Sequence, residues 1–177
     1  MTFGSQVAEG AKSRREAFVR MMEEYEPALR RLAGAYVNRA VDLEDLFQEI
    51  ALAVWRALPR FRGDASERTW LYRIAHNVAI STAAGLRKRN RREPSMDHSF
   101  DCPSVAAGPE EQFVREEKRR LLLAAIRTLP ALDRLLILLH LEGLGGAEME
   151  EISGLSQGAI ATRLSRTREK LKERVGL

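Results

Sequence analysis

The sequence has little cysteine, few aromatic residues and no long hydrophobic run. Its one thiol, Cys102, excludes an internal disulfide, and aromatic residues make up only 6% of the 177 positions. Apolar runs such as Leu135 to Leu139 are far shorter than the roughly 20 residues that a membrane-spanning helix needs. The first residues also lack the basic end and apolar stretch of a secretory signal. We therefore expect no membrane insertion and a cytoplasmic location.

Residues that usually carry catalysis or bind metals are scarce and scattered. The histidines His76, His98 and His140 share no metal-ligand spacing with one another or with the thiol. No glycine-rich phosphate loop and no nucleophile elbow is present in the sequence. Asp42, Asp45 and Glu49 share a helix face, but no second acidic helix is predicted that could complete a metal site. We expect no catalytic residue, no metal and no cofactor, which leaves an enzyme as a remote alternative.

Charge is distributed in blocks, although the formal net charge is only +4. Residues 59–92 hold nine lysines or arginines against two acidic residues, and 118–177 hold eleven against seven. By contrast, 42–58 holds four acidic residues against one arginine, and 93–117 holds seven against one. Two basic blocks indicate surfaces for a polyanion, and an acidic block suits a basic partner. Solvated helix faces alone would also produce part of this pattern.

The periodicity predicts an all-α fold, because almost no segment alternates as a strand does. In the N-terminal half, three helices are predicted over about 13–38, 42–58 and 66–92. Pro27 should kink or split the first helix, and Asp42 should be the N-cap of the second. Trp70 falls on the apolar face of the third helix, which favours a core position, whereas the environment of Phe61 stays open.

The C-terminal half begins after a proline-rich and serine-rich stretch over 93–110, which predicts a flexible linker. Beyond it, helices are predicted over about 111–128, 130–140, 147–153 and 157–174. We therefore predict two small helical domains, an N-terminal helical bundle over 15–92 and a C-terminal helix-turn-helix domain over 111–177. A flexible tail, 1–14, precedes them.

The last two predicted helices have the layout of a helix-turn-helix, with a glycine turn at 154–156. Met149, Ile152, Ile160, Leu164 and Leu171 should pack inside it. Ser156 should cap the final helix, and the side chains left for a DNA major groove are Gln157, Ala159, Thr162, Arg163, Ser165, Arg166 and Arg168. The alternative is an ordinary helical hairpin with a solvated basic face.

Taken in order, several stretches resemble the extracytoplasmic-function group of bacterial sigma factors, which are small two-domain members of the primary sigma family. These stretches are 42–49 (DLEDLFQE), 55–58 (WRAL), 61–64 (FRGD), 69–79 (TWLYRIAHNVA) and 142–166. The resemblance spans about 15–92 and 112–175. It implies a dissociable subunit that binds core RNA polymerase and directs it to a class of promoters, while the polymerase performs the chemistry.

The resemblance implies roles for three sets of residues and an anti-sigma protein as a further partner. A polar face would dock on the clamp helices of the largest polymerase subunit through Asp42, Asp45, Gln48 and Glu49. Melted minus-ten DNA would contact Phe61, Arg62, Gly63, Asp64, Ala65, Ser66, Trp70, Tyr72, Arg73, Asn77, Arg87, Lys88 and Arg89. The duplex minus-thirty-five element would contact Ser156, Gln157, Ala159, Thr162, Arg163, Ser165, Arg166 and Arg168.

The sequence departs from the family pattern at several positions. Gly145-Gly146 replaces a common serine-aromatic pair, and Glu150 stands where a small alanine is usual. Further departures are Glu67, Ser153 and Ala161. The competing interpretation is a stand-alone helix-turn-helix regulator whose N-terminal half senses or dimerises. Such a regulator would bind a palindromic site without polymerase.

Overall fold

The computed structural model describes residues 3–90 and 109–175, and the side chains within them except those of 3–11, 83–84, 86–90 and 109–116. In these ranges the chain forms seven α-helices and one short 3₁₀ helix, with no strand. The α-helices are α1 Phe3–Gly34, α2 Ala40–Ala57, α3 Glu67–Asn90, α4 Pro109–Arg127, α5 Ala131–Leu141, α6 Gly146–Ser153 and α7 Gln157–Val175, and the 3₁₀ helix is Leu58–Arg60. The all-α prediction is confirmed. Most of the predicted linker, including Cys102, lies outside the described residues.

Helix α1 is longer than the periodicity predicts. It is one element over Phe3–Gly34, so it includes most of the predicted tail 1–14, and Pro27 does not divide it. Residues 3–14 contain no proline, and Arg14 holds α1 against α2 by donating to the Trp55 carbonyl and stacking 4.1 Å above the Trp55 ring. Pro27 removes one helix hydrogen bond, and the burial of Leu29 and Leu32 beyond it offsets that loss.

The N-terminal unit, α1 to α3, is a bundle in which each helix packs on the other two. Its central residues, Leu29, Leu46, Ile50 and Leu71, are fully buried. Trp70 is only 8% exposed, which confirms its core position. The open question of Phe61 is also answered, because its ring packs against Trp70 with 4.8 Å between the ring centroids.

The first turns of α2 and α3 are stabilised differently. Arg39 occupies the N-cap position of α2 and makes no side-chain cap, so the prediction that Asp42 caps this helix is wrong. Asp42 lies inside the first turn, where the helix dipole favours a carboxylate. Ser66 does cap α3, since its Oγ accepts the Thr69 backbone N–H at 3.1 Å.

The C-terminal unit, α4 to α7, forms around the buried leucines of α5. Helix α6 ends at Gly154, whose φ of 71° is the left-handed conformation that glycine adopts most readily. Ser156 Oγ accepts the Ala159 backbone N–H at 3.4 Å, as expected for the cap of α7. The predicted inward residues are all buried, namely Met149, Ile152, Ile160, Leu164 and Leu171. The predicted helix-turn-helix is therefore present.

Candidate nucleic-acid and protein interfaces

The acidic surface of α2 has three of its four predicted members. Asp45, Gln48 and Glu49 are exposed, whereas Asp42 is only 2% exposed. Asp42 Oδ2 lies 3.5 Å from Arg39 Nε, and its Oδ1 has no hydrogen-bond partner among the described residues. Helical spacing places Asp42 near Glu49 but does not show that the rest of the fold covers the first turn of α2. In this arrangement Asp42 is not available to a partner.

The charge on this surface is left uncompensated. Asp45 and Glu49 form no ion pair with another side chain in the described part of the chain. Glu44, one residue away, behaves differently, because Arg30 donates to its carboxylate at 2.8 Å and lowers the pKa of that group. Leu52 continues the same face one turn further along and is 39% exposed. Sequence reasoning missed Leu52. Its only signal in the sequence was that an apolar residue follows Asp45 and Glu49 at the spacing of one helix face.

The loop before α3 presents polar groups around a tight turn. Gly63 has a φ of 79°, a backbone conformation that residues with a Cβ atom rarely adopt. The exposed predicted residues of this segment are Arg62, Gly63, Asp64 and Ser66, and Ala65 is half-buried. Phe61 is held against Trp70. The loop can therefore offer polar and cationic contacts while its aromatic residue stays packed.

The predicted contacts on α3 divide into core and surface residues. Trp70 and Tyr72 are buried, the latter only 1% exposed, so neither ring is available to stack on a base. Burial also raises the pKa of the Tyr72 phenol. Asn77 is exposed and Arg73 is half-buried. The basic residues Arg87, Lys88 and Arg89 lie in the last turns of α3, and their side chains are outside the description.

Helix α7 presents its predicted DNA-facing residues on an open face. Exposed members are Ser156, Gln157, Thr162, Arg163, Ser165, Arg166 and Arg168, and Ala159 is half-buried. Helix α5 holds two of these arginines, since Arg163 donates to Asp133 Oδ1 and Arg168 to His140 Nε2, each at 2.8 Å. The sequence did not indicate that Asp133 and His140 hold these arginines, because each contact joins two helices that are separate in the chain.

The two units also contact each other through Glu142, in the turn after α5. Arg31 of α1 binds its carboxylate in a bidentate arrangement, with distances of 2.6 and 2.7 Å. Arg68 of α3 donates to the Glu142 backbone carbonyl. Helix α6 lies against α3, where Glu151 is 3.9 Å from Arg73. Of the α3 residues predicted to contact melted DNA, Arg73 therefore faces the C-terminal unit, whereas Asn77 is exposed.

His76 lies in the same region, where the two units meet, and its contacts there are structural. Its Nδ1 lies 3.0 Å from the Tyr36 hydroxyl, and Arg134 of α5 stacks 5.0 Å from the Tyr36 ring. Burial lowers the pKa of His76 to about 4, so the ring is neutral near pH ~7 and shares a hydrogen bond with the Tyr36 hydroxyl. Within the described ranges no cluster of histidine, cysteine or acidic residues could hold a metal ion, and no helix could span a membrane.

Comparison with known proteins assigns the chain to a family. The model of Sigma-70 region 2 matches residues 21–92, and that of Sigma-70 region 4 matches residues 119–171. The ECF RNA polymerase sigma-E factor of Escherichia coli K12 is 32% identical over 174 residues, covering 93% of this chain and 89% of the relative. The corresponding factor of Haemophilus influenzae is 30% identical over 171 residues, covering 91% and 88%.

Two solved structures share the fold. CnrH in complex with the cytosolic domain of CnrY is 22% identical with a TM-score of 0.64, covering 94% of this chain and 92% of that one. The sigma factor RpoE of Bartonella quintana, in complex with the anti-sigma factor NepR, is 23% identical with a TM-score of 0.70, covering 92% and 98%. The fold and the order of the two regions define the sigma-70 class. Within it, this chain belongs to the extracytoplasmic-function (ECF) sigma factors of RNA polymerase. Its function is therefore promoter recognition in transcription initiation.

Proposed function

We propose that the N-terminal unit docks on core RNA polymerase through the exposed face of α2 formed by Asp45, Gln48, Glu49 and Leu52. The observation that carries this assignment is the uncompensated charge of Asp45 and Glu49 beside an exposed leucine. Such a surface suits a basic helix of a protein partner, because charge steers the encounter and apolar area adds affinity. Asp42 is left out of the docking surface because it is buried.

The promoter elements are assigned to two different surfaces. We propose that melted minus-ten DNA contacts the loop 61–66 and the exposed residues Arg73 and Asn77 of α3, with phosphates held by the basic cluster 87–89. Trp70 and Tyr72 support this surface from the core. The duplex minus-thirty-five element lies along α7, where the arginines contact base edges and phosphates in the major groove. A positively charged loop suits single-stranded DNA, and a helix that fits the major groove suits a duplex.

The chain catalyses no reaction of its own in this proposal, and it works with polymerase in the cytoplasm. A protein that holds the factor inactive is a further proposed partner. Support comes from the two solved structures with this fold, of which one contains an anti-sigma factor and the other the cytosolic domain of CnrY.

In vitro transcription tests the docking assignment. Purified protein is mixed with bacterial core polymerase and fragmented genomic DNA, and specific transcripts are sequenced. We expect the wild type to produce promoter-specific transcripts and the double variant Asp45→Ala, Glu49→Ala to lose binding to core polymerase. Glu16→Ala, Glu23→Ala removes the same charge from exposed positions of α1 and should transcribe normally.

The same experiment separates the competing interpretation. A stand-alone regulator would bind duplex DNA tightly without polymerase, and both double variants would bind that DNA equally. Transcripts that persist with Asp45→Ala, Glu49→Ala would contradict the docking surface. The absence of any specific transcript with the wild type would contradict promoter recognition itself.

A further inference from the structure

The first residue of α7 is held by a side chain of α6. Gln157 Nε2 donates to Glu150 Oε2 at 3.0 Å, across the turn of the helix-turn-helix. Both side chains are exposed, so this bond lies on the surface of the motif instead of inside it. A bond between two exposed side chains adds little to stability. Its main effect is to restrict the orientation of the Gln157 amide.

Gly146, the first residue of α6, leaves room for that amide. A Cβ atom at Gly146 would lie 3.1 Å from Gln157 Oε1 and 3.5 Å from Cδ. The φ angle of Gly146 is not positive, so its backbone conformation does not require glycine. Because Gly146 has no side chain, it leaves the space that the Gln157 amide occupies. Gly146 and Glu150 are both among the departures from the family pattern.

The bond to Glu150 determines which end of the amide is the nitrogen. An ionised carboxylate only accepts hydrogen bonds, so the NH₂ group must face Glu150. One N–H is used in this bond, which leaves one N–H donor and the Oε1 acceptor available. Adenine presents N7 as an acceptor and N6 as a donor in the major groove, and a glutamine amide binds both at once. The remaining donor and acceptor of Gln157 are the pair that adenine requires.

The position of Gln157 favours a base contact over a phosphate contact. It is the first residue of the recognition helix, and the N-terminal residues of such helices reach base edges. We propose that Gln157 reads an adenine in the minus-thirty-five element and that Glu150 is the positioning residue that orients its amide. This inference rests on the proposed function of α7 as the helix that binds that element.

A promoter library with a randomised minus-thirty-five element tests the proposal. The full-length protein and core polymerase transcribe the library, and the enriched promoters are sequenced. We expect the wild type to prefer adenine at one position. Gln157→Ala should lower the adenine preference there by about 10- to 100-fold, the range for loss of a bidentate base contact. Preferences at the other positions should be unchanged.

The positioning role of Glu150 is tested in the same library. Glu150→Ala frees the amide and should lower the same preference by about two- to tenfold, the cost of ordering one side chain on binding. Glu150→Gln retains an acceptor oxygen and should restore most of the preference. Gly146→Ala places a methyl group against Oε1 and should give an intermediate loss. Glu173→Ala removes the same charge from an exposed position near the C-terminal end of α7, away from Gln157, and it should match the wild type.

Each result supports or overturns the inference. An adenine preference that Glu150→Ala leaves intact would show that Glu150 does not orient the amide. A cytosine preference that disappears in Glu150→Ala would mean that the carboxylate reads the base itself, which also overturns the proposal. If the wild type transcribes no member of the library, the proposed function fails. If it transcribes selectively but Gln157→Ala changes no base preference, only the inference fails.

Discussion

The two surfaces proposed to contact DNA differ in how accessible their side chains are and in which contacts hold them. On α7, the basic residues are exposed, and side chains of α5 hold Arg163 and Arg168 in place. On α3, the two predicted aromatic contacts are buried, and Arg73 faces Glu151 of the other unit. The surface for duplex DNA is therefore formed within one unit. In the surface proposed for melted DNA, Arg73 contacts the other unit, whereas Arg62, Asp64 and Asn77 are already exposed.

The largest expected difference between the two surfaces is in stability. Trp70→Ala should lower the free energy of unfolding by about 3–5 kcal/mol, because it removes a buried ring that packs on Phe61. Arg166→Ala should change it by less than about 0.5 kcal/mol, since this side chain is exposed. Urea denaturation followed by circular dichroism measures both. Similar stability for the two variants would break the distinction between core and surface contacts.

Acid should weaken the N-terminal unit through His76. Burial lowers the pKa of His76 to about 4, whereas the unfolded chain protonates this ring near pH ~6.5. Stability is therefore lost as the pH falls through this window, with a slope of up to about 1.4 kcal/mol per pH unit. His76→Asn retains a hydrogen-bonding group for the Tyr36 hydroxyl without an ionisable ring, and it should have a shallower slope in urea denaturation. An equal slope in the variant would contradict a buried neutral imidazole.

A smaller effect on stability than that of Trp70→Ala is expected at the contact between the units. Glu142→Gln weakens the bidentate bond to Arg31 and should lower the free energy of unfolding by about 1 kcal/mol or less. Hydrogen exchange in α6 should nevertheless become faster, because this helix packs on α3 only while the units stay together. Glu173→Gln, at an exposed site on α7, is the control. Unchanged exchange in Glu142→Gln would show that the carboxylate does not hold the units.

Local patterns predicted most of the helices and the helix-turn-helix, because their apolar spacing, Ser66, Gly154 and Ser156 act within a few residues of one another. They were less informative at helix ends. The periodicity started α1 at about residue 13, whereas the helix begins at Phe3, and Arg14 contacts Trp55, which lies far along the chain. The cap of α2 was predicted at the wrong residue, since an acidic side chain is favoured both at the N-cap and inside the first turn.

By itself, the sequence determined the fold class, the order of the two regions and the acidic and basic surfaces, since these depend on periodicity and local charge. Only the tertiary structure decided which residues of each set are accessible. It buries Asp42, Trp70 and Tyr72 while leaving Asp45 and Gln157 exposed. It also brings Glu142 to Arg31, and Glu150 to Gln157. The physical reason is that burial and side-chain pairing depend on which helices pack together, a property that residue spacing along one helix does not contain.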